Sequence, residues 1–203
     1  MRRETKSERS QRQVLDAGLQ LFSHQGYRAT TIREIAERAG VSTGNVYHHF
    51  PDKHAIFNAL LEELWEIWAT PRFPFRRVLS SSLFPDNLEQ LGLAARESVR
   101  EFRQYIALIY VDMIEFDGKH TQKFYGEIAQ TYAELLKSGG SLEHVSSRMR
   151  PGVSPVSALL LTTRIYFNYF IIEVLFNVPQ PFGKESKQVV KGIADILRHG
   201  IVV

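Results

Sequence analysis

Ser42, Thr43, Gly44 and Asn45 place two hydroxyls, a side-chain amide and an uncovered stretch of backbone in four consecutive residues, and Tyr47, His48 and His49 follow. As a set these are short hydrogen-bonding groups. If they open a helix, its first turn adds backbone N–H groups that have no partner within the helix. Such a turn suits phosphates and the base edges of a DNA major groove. Tyr47 could set its ring on a thymine methyl and its hydroxyl on a phosphate, or it could pack against the first helix. His48 and His49 suit phosphate contacts. Gly44 costs up to about 1 kcal/mol relative to Ala inside a helix, and close approach to a DNA backbone would be a reason to have it there. Adjacent histidines diverge around a helix. With His54 the only further histidine nearby and no carboxylate to complete a ligand set, no metal is expected.

The elements that must position these residues are marked in the sequence. Thr31 and Glu34 have the spacing of a capping box, which starts a helix over Ile32–Ala39. Gly40 permits a left-handed turn, Ala36 is small enough for two helices to approach, and Val46 gives Thr43–His49 an apolar side. Thr31 and Ser42 can both serve as helix caps, and capping is compatible with a contact to DNA.

Beyond this core, apolar residues recur at helical spacing with almost no strand signal, so the chain is expected to be all-α with about nine helices. A first helix is expected over residues 8–24, ending at Gly26. The fourth opens at Pro51-Asp52 and reaches Pro71, and residues 70–84 form a seam. Asp86 and Glu89 form a further box for a fifth helix to about residue 102, and a sixth runs to about 116. The seventh covers about 121–137 and stops at Gly139-Gly140, before a polar loop over 141–154. Ser154 and Pro155 start the eighth, which runs to about 178, and the ninth covers about 184–199. Two domains are expected, over 1–53 and 54–203.

Composition narrows the classes. The chain has 203 residues, is 44% hydrophobic and has no cysteine, so it can bury a core and has no disulfide framework. The polar, basic start lacks an apolar signal core, and a cytoplasmic location is expected. The apolar run over 156–178 is interrupted by Arg164, Asn168, Glu173 and Asn177, which favours a buried helix over a membrane span. Residues 1–54 carry the whole formal excess of +3 and the remainder sums to zero. Arg2, Arg3, Lys6, Arg9 and Arg12 face only Glu4 and Glu8, which fits a phosphate-attracting arm beside a DNA-binding head.

The sequence over about 12–61 resembles the TetR (tetracycline-repressor-like) family of bacterial transcriptional regulators. The matching residues are Phe22, Gly26-Tyr27, Thr30-Thr31-Ile32, Ile35-Ala36, Ala39-Gly40-Val41-Ser42, Tyr47-His48-His49-Phe50, Lys53 and Phe57. The resemblance implies a helix-turn-helix DNA-binding domain followed by a helical effector-binding and dimerisation domain. By correspondence with the family motif, Thr31 holds a phosphate, Arg33 points into the groove, where arginine commonly pairs with guanine, and Lys53 clamps a phosphate. The implied partners are a palindromic operator, a small-molecule effector, and a second copy of the chain joined through the eighth and ninth helices. The eighth is apolar nearly all round, as a helix with partners on every side should be.

An effector pocket between bundle helices would be mostly apolar with a few polar groups. Trp65, Trp68, Phe102, Tyr110, Asp112, Tyr166 and Phe170 are candidate lining residues, with packing in the core as the alternative for each. No nucleophile elbow, phosphate-binding glycine loop, His-Glu-x-x-His or paired-carboxylate motif is present, so no catalytic residues, metal or cofactor are expected. A sequence-blind DNA-packaging protein would leave the large apolar C-terminal half without a purpose. The expected function is a ligand-responsive repressor that a small, largely apolar effector releases from DNA.

Overall fold

The computed structural model describes residues 5–80, 84–138 and 142–202. Arg2 and Arg3 of the expected arm, the Gly139-Gly140 stop and Ser141 lie outside the described residues. Among the described residues eleven α-helices and one π-helical turn form, against the nine helices expected, and no strand.

The chain divides into two compact units, and the first is discontinuous: Met1–Glu66 with Gln104–Gln122. It contains α1 (Lys6–Gln25), α2 (Ile32–Ala39), α3 (Thr43–His49), most of α4 (Lys53–Trp68) and most of α7 (Arg103–Glu115). The expected boundary after residue 53 therefore does not coincide with the compact units. The reason is apolar. Val14, Phe22, Ile35, Val46, Ile56, Phe57 and Leu60 are fully buried, and Leu108 of α7 is buried in the same cluster. Each such side chain contributes roughly 1.5–3 kcal/mol when removed from water, so the head folds around α4 and α7 together.

Local signals explain the helix starts. Thr5 and Glu8 form a reciprocal capping box, so α1 begins two residues before the expected start. Thr31 and Glu34 form a second box, and Gly40 closes α2 in the left-handed region at φ 68°. Its N–H bonds back to Glu37 O at 3.2 Å, the tight exit that lets α3 start after only Val41 and Ser42.

The second unit, Ile67–Arg103 with Lys123–Val203, departs further from expectation. Within the seam lies α5 (Pro74–Leu79). Pro74 stands in its first turn, where proline is favoured, and Phe73, Phe75 and Leu79 are buried. The expected Asp86–Glu89 box is absent: α6 (Leu88–Glu101) has Asn87 as N-cap with no side-chain hydrogen bond. Asp86 instead pairs with Arg148 at 2.7 Å. After α8 (Gln122–Ser138), the polar loop contains α9 (Leu142–Arg148), anchored by buried Val145.

The long apolar helix is α10 (Pro155–Phe170), which passes into a π-helical turn over Ile171–Leu175. Phe176 N–H reaches Ile171 O at 3.0 Å, five residues back, so the α-helical ladder ends before the expected residue 178. The turn is held from outside, since Glu173 accepts from Arg96 Nε at 3.0 Å and from Ser186 Oγ at 2.5 Å. Ser186 opens α11 (Ser186–Ile201), which buries Val189, Val190, Ile193, Ala194 and Leu197. Both α10 and α11 pack on α6, where a Cβ at Gly92 would lie 2.7 Å from Tyr166 and 2.8 Å from Val190.

Candidate nucleic-acid interface

Ser42 is the N-cap of α3, its hydroxyl accepting from Asn45 N–H at 3.1 Å. Val46 alone on this helix is fully buried, and it fixes which side faces the protein. Ser42, Thr43, Gly44, Tyr47 and His48 are therefore exposed, with Tyr47 at 56%. Burial of Tyr47 against α1 is not observed. A Cβ on Gly44 would meet only Ser42 Oγ, at 3.8 Å, so the protein itself does not demand glycine there. Asn45 is half-buried with its Oδ1 unpaired, so turning that amide toward an outside partner costs no hydrogen bond at Oδ1. His49 is held by Ser10 Oγ at 2.7 Å, while His48 leans edge-on to it.

The flanking residues divide. Arg33 is exposed and has no ion pair among the described residues, so its guanidinium is available. The Thr31 hydroxyl donates to Glu34 Oε2 at 2.7 Å and accepts from Glu34 N–H at 3.2 Å. These bonds and the Thr31 backbone hold the Glu34 carboxyl below its usual range. Lys53 has its three protons occupied: Nζ lies 2.9 Å from Tyr27 O, 2.9 Å from Thr30 O and 3.4 Å from Arg28 O. It also sits 4.2 Å from the centroid of Tyr27. Its ammonium closes the α1–α2 connection, and any phosphate must compete with those carbonyls. Of the basic arm, Arg12 is committed to Asp16 and Glu63, at 2.7 and 2.8 Å.

The α1–α2 connection also takes support that sequence spacing could not reveal. Glu115, at the end of α7, accepts from Tyr27 N–H at 2.9 Å and Arg28 N–H at 2.7 Å. Tyr27 meets Phe22, Phe57 and Phe116 with ring centroids 4.7–5.6 Å apart. Beside it His54 Nε2 faces His120 Nε2 at 3.0 Å, and His120 Nδ1 is 2.5 Å from Asp112.

That arrangement settles where Asp112 points. It is fully buried, and beyond His120 its carboxylate accepts from Thr121 N–H at 3.0 Å, so it fastens the segment after α7. The other candidate ligand residues are dispersed. Trp65 packs at the margin of the first unit's core, and Tyr110 is half-buried on α7. In the second unit Phe102 packs on Phe73, Phe170 packs on Tyr169, and Tyr166 is fully buried with its hydroxyl 3.4 Å from Val190 O. Trp68 stands in a separate aromatic group with Phe124 and Tyr132, at 4.9 and 6.0 Å.

Comparison with known proteins agrees with this geometry. Residues 14–60 match the family described as bacterial regulatory proteins, tetR family. The chain is 41% identical over 63 residues to the HTH-type transcriptional regulator RutR of Escherichia coli, covering 31% of this chain and 30% of that protein. It is 32% identical over 101 residues to the HTH-type transcriptional repressor KstR2 of Mycobacterium tuberculosis, covering 49% and 48%. The chain thus aligns with less than half the length of either relative. At the level of fold the likeness extends to the whole chain. NalD, the secondary repressor of the MexAB-OprM multidrug efflux pump in Pseudomonas aeruginosa, superposes with a TM-score of 0.65 over 98% of both chains at 22% identity. Residues 14–60 thus match the helix-turn-helix of the tetR family of bacterial regulatory proteins in sequence, and the helical order of the chain matches the fold of the solved structure.

Proposed function

We propose that this protein is a dimeric, ligand-responsive transcriptional repressor that acts on DNA in the cytoplasm. The observation that carries this reading is the outward face of α3, where Ser42, Thr43, Gly44 and Tyr47 are exposed around a glycine that the protein's own packing does not require. That face offers hydroxyls and helix N-terminal N–H groups for phosphates and bases, with Arg33 free beside it.

Two such faces read successive major grooves only when held about 34–36 Å apart, so a second copy is part of the reading. α10 and α11 supply the surface. Leu161 and Ile196 are 50% and 72% exposed in the single chain. Gly192 and Gly200, one turn either side of Ile196, have open space where a Cβ would be. A large residue flanked by small ones allows a partner helix to approach closely.

An effector that binds better to the state with misplaced heads shifts the population off DNA in proportion to that difference. α4 is the element that would carry the shift, because it begins at Lys53 in the head and its last residues, Ile67 and Trp68, belong to the second unit.

The test is fluorescence anisotropy with palindromic segments from the chain's own upstream region and neighbouring promoters, against scrambled DNA of equal length at fixed salt. A preference of a hundredfold or more for one palindrome is expected. Equal affinity for all sequences would leave a sequence-blind DNA binder, and no binding at all would remove the reading.

A further inference from the structure

The second unit holds a half-buried guanidinium with one nitrogen that its own fold leaves unpaired. Arg76, on α5, has an Nη1 with no exposed surface and no hydrogen-bond partner. No Asp or Glu pairs with it among the described residues, although the adjacent Arg77, on the outside, reaches Glu97 at 3.6 Å. Partial burial pushes the Arg76 guanidinium down from its ordinary value. Its guanidinium stands 5.8 Å from the ring of Trp68, at the outer edge of the roughly 6 Å range of a cation–π contact. A desolvated cation is costly unless an anion and hydrogen bonds compensate it.

The surroundings say what form such an anion would take. Trp68 meets Phe124 and Tyr132. Tyr132 is buried, with its hydroxyl 3.1 Å from Thr163 Oγ1. Thr163 donates its own proton to Leu159 O at 2.8 Å, so Tyr132 donates to Thr163 and keeps a free lone pair. A second guanidinium approaches from α10: Arg164 lies 5.0 Å from the Tyr125 ring, with no ion pair among the described residues. Arg76 and Arg164 both act on the Tyr132 hydroxyl, opposing the burial that raises it to about 12. Half-buried Arg76 and exposed Arg164 thus flank one aromatic group, and neither is paired with a carboxylate among the described residues.

We propose that this group is the recognition site for a small aromatic carboxylate, with the acid paired to the Arg76 guanidinium and the ring laid against Trp68 and its neighbours. The planar fork of an arginine matches a carboxylate through two parallel hydrogen bonds, and the orphaned Nη1 is one half of that fork. This adds an acid group to the small, largely apolar effector expected from the sequence. It rests on the proposed function only for the ligand's role as effector.

Calorimetry with a series of acids from benzoate to 2-naphthoate, each beside its neutral carboxamide, tests the site without DNA. At least one acid is expected to bind tenfold or more tightly than its amide. Arg76→Gln, which keeps hydrogen-bonding capacity and removes the charge, should abolish that difference. Equal affinity for acid and amide, survival of the preference in Arg76→Gln, or no acid binding at millimolar concentration would each overturn the proposal. A ligand-free readout stands beside it: Arg76→Met should raise the melting temperature, and a lowered one would mean that Arg76 has an internal partner after all. Operator anisotropy with the same acids separates the two readings. Binding at Arg76 without any effect on DNA affinity keeps the site and removes the effector role. Release from DNA that Arg76→Gln leaves intact keeps the regulator and removes the site.

Discussion

A methyl group added at Gly44 would touch nothing closer than Ser42 Oγ at 3.8 Å, so the residue separates what the fold wants from what a ligand wants. Gly44→Ala is expected to stabilise the free protein by about 0.5–1 kcal/mol in urea unfolding, the helix-propensity difference. The same change should weaken operator binding at least tenfold, because the added methyl occupies the side that a DNA backbone approaches. Unchanged affinity in a stabilised variant would mean that α3 does not lie close to the duplex. Lys53 gives the opposite case. The family resemblance implies a phosphate clamp there, but the geometry of Lys53 was not legible, since the carbonyls of Tyr27, Arg28 and Thr30 that hold it come from a loop about 25 residues earlier. Lys53→Met should therefore cost about 2–3 kcal/mol of stability through the carbonyls left without a charged donor. Urea unfolding, with the salt dependence of DNA binding, decides between the roles. A full unit lost from the salt slope with stability intact would identify Lys53 as a phosphate contact instead.

Helix starts were legible at Thr31–Glu34 and Ser42–Asn45, where a side chain and the backbone three residues on answer each other. The Thr5–Glu8 box carries the same signature and moves α1 back to Lys6. At Asp86–Glu89 the spacing was right but the outcome was not, because Arg148, 62 residues away, takes the Asp86 carboxylate. Short α5 and α9 were hidden because proline and serine read as breakers, while the burial of Phe75 and Val145 that stabilises them is tertiary. The α2 cap makes a pH prediction. Its hydrogen bonds depress the Glu34 carboxyl in the folded state. The cap's contribution is therefore fully present above the unfolded carboxyl value and lost as pH falls through the lower folded one. Glu34→Ala should lower the melting temperature at pH 7, and the gap from the unsubstituted protein should close as the solution is taken below about pH 4. A gap that persists at pH 2.5 would mean that the ionised carboxylate is not what the cap uses.

At the scale of the whole molecule the open question is what covers the outer face of α10 and α11. The segment Pro155–Leu175 is apolar and long enough to cross a membrane by length and composition, yet only 33% of its most apolar window is buried within the chain. Arg164 over Tyr125 and Glu173 held by Arg96 place charges along it, which lipid would penalise and a protein partner can flank. On α11 the inward residues Val189, Ile193 and Leu197 leave Ile196 facing out, 72% exposed, between Gly192 and Gly200. A two-fold axis across this face would set Ile196 against the same surface of the second copy. Ile196→Asp then has two separable consequences. Within one chain the residue is exposed, so the subunit's own packing should change by no more than about 0.5 kcal/mol. Between chains it places a desolvated carboxylate in an apolar seam, so sedimentation should move from dimer to monomer. Operator affinity should fall by two orders of magnitude or more, because each half-site is then bound alone. An Ile196→Asp protein that still sediments as a dimer would move the pairing surface away from α11.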